Sequence, residues 1–238
     1  MQPDGVHVAA IAAARERVLR QIGAAAARSG RDPSAVTLVA VSKTVPAERL
    51  VAAVAAGLTT LGENRVQEAE SKAGLVAGAT WHLVGPLQSN KAKRALGAFS
   101  VIESVDSVEL AERLDRLAGE ARPDTRVPVL LQVNVDSDPA KAGFAPETLA
   151  DALARLATLE RLAIRGLMTV GRLVERAEDA RPTFIALRVL SERLRSDAAV
   201  ATILGPELSM GMSDDFAVAV EEGATIVRVG RALFGSRV

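Results

Sequence analysis

Three groups of residues in this chain are of types that do chemistry. The first is a lysine. Val36-Thr37-Leu38-Val39-Ala40-Val41-Ser42-Lys43-Thr44 is apolar and rich in valine until Ser42, and then presents Lys43. Such a run reads as a strand buried on both faces. A lysine at the mouth of an apolar core is partly desolvated, which disfavours its charged form, and a neutral amine adds to aldehydes and ketones. A solvated strand-end lysine is the plain alternative, and the commoner one for a lysine taken alone. The second group is Ser209-Met210-Gly211-Met212-Ser213-Asp214-Asp215, and the third is Val227-Arg228-Val229-Gly230-Arg231. Ser213 is suited to cap a helix whose first turn holds Asp214 and Asp215. A serine hydroxyl, backbone N–H groups and a glycine that allows close approach would also meet a phosphate dianion. Ser213 alone is only a helix cap. Joined to Gly230, Arg231 and Lys43, it points to an aldehyde that carries a phosphate.

Positioning such groups takes a scaffold that brings distant strand ends together. Residues 5 to 28 read as one helix, with Val8, Ile11, Val18, Leu19 and Ile22 as its apolar stripe and Gly30 and Pro33 beyond its end. Strands are predicted over 36–43, 59–64, 80–85, 100–106, 127–135, 162–170, 207–212 and 225–230. Between and after them come a helix from Pro46 towards Gly57, one to about Gly74, a basic helix over 90–96, and helices over 108–120, 146–159, 175–195 and 214–222, with a last turn over 231–234. Eight strand–helix units at roughly 25-residue spacing predict a (β/α)8 TIM barrel with an added N-terminal helix. One domain over 1–238 is expected, with the barrel spanning 36–235. An open doubly wound sheet is the runner-up. In a barrel the carboxyl ends of all strands share one face, which gathers Lys43, Asn64, Gly85, Asp106, Asn134, Met168, Met212 with Ser213, and Arg228 with Gly230.

Composition narrows the chemistry. The 238 residues are 49% hydrophobic and 24% charged, with 29 basic against 29 acidic residues and a formal net charge of +0. That balance speaks against a nucleic-acid binder. There are no cysteines, hence no thiol nucleophile or thiolate metal site. Two histidines, His7 and His82, are too few for a His-built metal centre, and no metal is expected. The absence of tyrosine removes any phenolic acid or base of the chain's own. Arg15, Glu16, Arg17 and Arg20 interrupt the Ala-rich start where a signal peptide needs an apolar core. The longest apolar stretch, 50–61, is too short for a bilayer. A cytoplasmic protein, without membrane contact, is the expectation.

These residues also resemble a known family. The matching motifs are Val39-Ala40-Val41-Ser42-Lys43-Thr44, Gly62-Glu63-Asn64, Trp81 to Lys91, Gly166-Leu167-Met168, Leu208 to Asp215, and Val227-Arg228-Val229-Gly230 with Phe234-Gly235. In order from about 36 to 235, they resemble the YggS/PROSC family of pyridoxal 5′-phosphate (PLP) homeostasis proteins. The resemblance implies a barrel like the N-terminal domain of alanine racemase, with PLP held as a Schiff base on Lys43. It further implies that Ser213 with Gly230 and Arg231 holds the phosphate, and that Arg228 faces the pyridine nitrogen. Asn64 would lie near the ring substituents, Met168 near the ring, and Ser209 and Met210 along the phosphate loop.

An arginine stays protonated. Facing a pyridine nitrogen it would leave that nitrogen unprotonated, and so a poor electron sink. Racemases of this fold share that arginine but add a second domain and a tyrosine; this chain ends at Val238 without either. The expected role is therefore intracellular PLP homeostasis without substantial amino-acid turnover. A PLP-dependent racemase or a Schiff-base aldolase is the alternative. PLP-dependent apoenzymes are the candidate recipients, and a monomer or weak dimer is the expected state.

His82, ahead of Lys91, Lys93 and Arg94, is read as an ordinary strand residue rather than a proton-transfer group. Lys141 is read as a solvated loop lysine rather than a second amine site, and Trp81 as packing.

Overall fold

The protein, described here from a computed structural model over residues 3–172 and 174–235, closes eight parallel strands in sequence order, β1 through β8, into a barrel. The strands are β1 Thr37–Val41, β2 Thr60–Glu63, β3 Thr80–Leu83, β4 Val101–Val105, β5 Val127–Gln132, β6 Leu162–Met168, β7 Glu207–Ser209 and β8 Ile226–Val229. The helices are α1 Gly5–Arg28, α2 Ala47–Ala55, α3 Val66–Ala73, α4 Ala92–Ala98, α5 Val108–Ala121, α6 Leu149–Leu156, α7 Arg181–Arg195, α8 Ala198–Ala201, α9 Phe216–Glu221 and α10 Arg231–Phe234. The predicted barrel and added N-terminal helix are both present.

Strand alternation builds two cores. Val39, Val84, Leu130, Met168 and Ile226 point inward and form a small cluster on the barrel axis. Their strand neighbours, among them Ala40, Leu61, Leu83, Leu131, Leu167 and Val227, point outward into a larger cluster beneath the helices. The barrel closes where β1 lies against β8, from Thr37 opposite Ile226 to Ala40 opposite Val229.

Helix α1 starts at Asp4, whose side chain accepts from the Val6 N–H. It buries Ile11, Ala14, Val18, Ile22 and Ala25 at helical spacing. This face packs on α2, α9 and α10, across the β8–β1 closure.

Several elements are shorter than their apolar runs suggest. β1 ends at Val41, which leaves Lys43 two residues beyond the strand. β5 stops at Gln132 rather than 135. β7 stops at Ser209 rather than 212, because the chain turns at Gly211 (φ 88°), where an added Cβ would stand 2.5 Å from the Ala219 Cβ. The helix expected over 175–195 opens as a 3-10 turn, Ala177–Ala180, and becomes α-helical at Arg181, with Pro182 tolerated in the first turn. The short α8 was not expected; Asp197 caps it by accepting from the Ala199 N–H at 2.8 Å.

Candidate functional site

At the carboxyl end of the barrel a cavity of about 550 Å³ opens over the β1, β2 and β8 ends. Lys43, Asn64, Ser213, Arg228, Gly230 and Arg231 all line it. Six of the residues read from the sequence, drawn from positions 43 to 231, thus meet around one cavity. Lys43 shares the inward parity of Val39 and Val41 and is half-buried. Asn64 follows directly on β2. Gly85 lets the β3 end lie against it: a Cβ there would come within 2.5 Å of the Asn64 carbonyl oxygen and 2.7 Å of its Cα.

Ser213 does not cap α9. That position belongs to Asp215, whose Oδ1 accepts from the Met212 N–H at 2.6 Å. The Ser213 hydroxyl oxygen instead accepts from the Gly230 N–H at 3.2 Å and the Ala232 N–H at 3.5 Å. It therefore ties the loop after β7 to the turn after β8, and gathers a hydroxyl and two N–H groups at the cavity edge. Arg231, exposed at the rim, pairs with Asp214. Burial raises the Asp215 carboxyl, an effect the Met212 N–H and the Arg228 charge partly offset.

Arg228 is 5% exposed and anchors a chain of polar groups across the barrel interior. Its Nη1 donates to the Ser209 hydroxyl at 2.5 Å, and its Nη2 donates to the Thr169 carbonyl at 2.7 Å. Ser209 in turn donates to Glu103 Oε2 at 2.6 Å, and His82 Nδ1 lies 2.6 Å from Glu103 Oε1. Burial alone would raise the Glu103 carboxyl; the His82 hydrogen bond and charge, the Arg228 charge and the Ser209 hydroxyl outweigh it and hold it below its ordinary value. An ionised Glu103 only accepts hydrogen bonds, so His82 carries its proton on Nδ1. Burial lowers the Arg228 guanidinium, while Glu103 and Asp215 oppose that shift; it remains a cation.

Three residues read as site residues lie off the cavity wall. Ser209 is wholly buried and bridges Arg228 to Glu103 rather than lining a phosphate loop. Met210 is wholly buried in the outer core, since alternation turns it away from the axis. Met168 belongs to the inner cluster. His82 is no ordinary strand residue: it faces the axis and holds Glu103. Lys141, on the loop after β5, is half-buried beside Asp138 at 3.6 Å and does not line the cavity. Trp81 packs in the outer core as expected.

The reading of the sequence passed over Glu103, Thr169 and Arg49. A carboxylate inside Val101-Ile102-Glu103-Ser104-Val105 is the signal that could have found the first, since a charge within a buried strand needs a partner. Arg49, on α2, lines the cavity and donates to the Phe234 carbonyl at 2.9 Å. At the opposite, amino-terminal face, a hollow of about 420 Å³ is lined by Arg31, Arg188, Arg195, Glu192, Glu221 and Glu222, whose charges offset one another. Among the described residues, no group of three or more His, Asp or Glu could hold a metal ion, and no helix is long and apolar enough to cross a membrane.

Comparison with known proteins decides the family. Residues 16–238 match the family described as alanine racemase, N-terminal domain. A pyridoxal phosphate homeostasis protein of Aquifex aeolicus is 41% identical over 223 residues, covering 93% of this chain and 96% of that one. The chain belongs to the pyridoxal phosphate homeostasis protein family. Within solved structures, PipY of Synechococcus elongatus PCC7942 with PLP bound is 44% identical, with a TM-score of 0.78 over 90% of this chain and 100% of that one. Alanine racemase of Clostridium difficile 630 shares the fold at 15% identity, with a TM-score of 0.70 over 92% of this chain and 55% of the racemase.

Proposed function

We propose that this member of the family binds PLP in the cavity at the carboxyl end of the barrel, linked covalently to Lys43, and holds and releases the cofactor rather than turning over amino acids. The observation that carries this reading is the one cavity that gathers Lys43, Ser213, Gly230 and Arg228. Its donor set suits a phosphorylated aromatic aldehyde: an amine for the aldehyde, a hydroxyl and backbone N–H groups for the phosphate, and a guanidinium for the ring nitrogen. The PLP-bound PipY relative supports it. Ser213 and the turn at Gly230 would hold the phosphate, with Arg231 at the rim, and Asn64 would lie beside the ring.

PLP supplies an aldehyde and, in enzymes that protonate its ring, an electron sink. Arg228 works against the second use. Glu103 and Ser209 keep the guanidinium oriented and charged, so it donates to a ring nitrogen without giving up a proton. The chain has no tyrosine of its own to serve as a phenolic base opposite Lys43. Both features favour storage and delivery, with PLP-dependent apoenzymes as recipients.

The deciding experiment mixes the purified protein with PLP, records the visible spectrum before and after borohydride, and repeats it with Lys43→Ala. A band that borohydride bleaches, with a phosphopyridoxyl group on Lys43 by mass spectrometry and neither in the variant, is the expected result. No band in the parent protein would overturn the reading. Delivery is tested by loading an apoenzyme in the presence of a PLP scavenger; loading no faster than from free PLP would rule out a carrier role.

A further inference from the structure

Lys43 is held from behind by residues that do not line the cavity. Ser42 points the other way, into the space between β1 and α3, and is wholly buried. Its hydroxyl donates to Glu63 Oε1 at 2.8 Å, and its carbonyl accepts from Lys72 Nζ at 3.1 Å. Lys72 also reaches Glu63 Oε1 at 2.6 Å and Glu68 Oε2 at 3.4 Å. The same Glu68 oxygen accepts from the Thr44 N–H at 3.2 Å. Thr44 itself has φ 64°, a left-handed conformation that a β-branched residue rarely adopts. Strain of this kind persists only where the surroundings over-determine it.

These contacts have a simple geometric meaning. The Ser42 carbonyl belongs to the peptide unit before Lys43, and the Thr44 N–H to the unit after it. Fixing both planes fixes the backbone angles of Lys43, and with them the direction of its Cα–Cβ bond. One ion-paired set, Glu63 on β2 with Glu68 and Lys72 on α3, holds both.

We propose that Glu63, Glu68 and Lys72 are positioning residues that aim Lys43 into the cavity and thereby set how much bound cofactor is covalently attached. This rests on the PLP reading above. In the step concerned, the neutral Lys43 amine adds to the aldehyde carbon, a C=N bond replaces the C=O bond, and the aldehyde oxygen leaves as water with both amine protons. The electron count is unchanged and no co-reactant is needed. An amine already aimed at the carbon raises the effective concentration of that reaction; a loosened one lowers it.

The test separates covalent from non-covalent binding by using two ligands on the full chain. PLP has the aldehyde. Pyridoxine 5′-phosphate has an alcohol in its place and cannot form the bond. Glu68→Ala removes the Thr44 acceptor from a half-buried helix position, and Glu68→Gln restores an acceptor without the charge. We expect Glu68→Ala to weaken PLP binding about fivefold, the scale of one lost hydrogen bond, and to reduce the borohydride-trapped fraction. Pyridoxine 5′-phosphate affinity should stay within about twofold, and Glu68→Gln should recover most of the loss. Unchanged trapping and affinity in Glu68→Ala would overturn the proposal, as would an equal loss for both ligands. A parent protein that binds both ligands alike and traps nothing would instead overturn the PLP reading beneath it.

Discussion

Glu103 and Glu63 are the same residue type, both on barrel strands and both wholly buried, yet their carboxyls are shifted in opposite directions. Glu103 faces the axis between His82, Arg228 and the Ser209 hydroxyl, with both oxygens bonded, and its carboxyl is held below its ordinary value. Glu63 faces α3, where burial raises its carboxyl above its ordinary value despite Lys72 and Ser42. Among the described residues, partners are found for its Oε1 alone, and Oε2 is buried without one. Burial penalises both anions. Each carboxylate meets two donors; what separates them is that those of Glu103 fall on both oxygens with the Arg228 charge nearby, whereas those of Glu63 share one oxygen and the Glu68 charge opposes them. The axial cluster thus favours a charge beneath the cavity, whereas the Glu63 carboxyl takes up a proton more readily and its cluster acts as a clamp rather than a field.

The sharpest way to break this contrast is Arg228→Met. It leaves the Glu103 anion with His82 and the Ser209 hydroxyl but without the guanidinium charge, and should cost about 3–5 kcal/mol in urea unfolding. A loss under about 1 kcal/mol would mean that Glu103 is not an obligate anion. Lys72→Met should cost less, about 2–3 kcal/mol near neutral pH, because Glu63 can take up a proton. That cost should shrink as pH is lowered towards 5; a cost independent of pH would remove the distinction between the two sites.

The smallest effects lie in the acid limb of stability, and they have opposite signs. Glu103 has a depressed folded value, so its contribution is present above its ordinary 4.5 and is lost as pH falls below that. Glu63 has a raised one, so the folded state binds the extra proton, and stability falls as pH rises from 4.5 through the folded value. Unfolding measured from pH 3 to 7 should therefore show a flatter acid limb in Glu103→Gln and a steeper gain of stability with pH in Glu63→Gln. Curves parallel to the parent in both variants would contradict the assignment.

Much of this was legible in the sequence, for physical reasons. β1 and β5 announce themselves because their centres are buried on both faces and their apolar runs are little broken by alternation, whereas β3, β4 and β7 carry His82, Glu103 and Glu207. Lys43, Arg228 and Gly230 stand out because a charge or a glycine at the end of such a run breaks its composition. What stayed hidden depends on which way a side chain points. His82 and Glu103 are 21 residues apart and meet only because both face the axis. Ser209 and Met210 are adjacent, and the strand sends one to Arg228 and the other to the outer core. Ser213 looked like a helix cap because its neighbours are acidic. The helix begins three residues later because the loop first turns back on Asp215.

Helix α1 has a consequence for how the molecule comes to exist. Its buried face rests on α2, α9 and α10, and Arg28 and Arg31 reach Glu221 at 2.6 Å and the Val220 carbonyl at 2.7 Å. β1 likewise pairs with β8. A ribosome makes α1 and β1 ahead of α9, α10 and β8, which follow some 200 residues later, at a few residues per second or faster. Until then α1 and β1 can meet α2 and β2 but not the elements that close the barrel. Such long-range pairing gives a high contact order and slow folding, and the cavity edge around Gly230 follows the strand that closes the barrel. The pocket therefore cannot form on a nascent fragment: a chain able to receive its ligand is one whose barrel has been translated through its eighth strand.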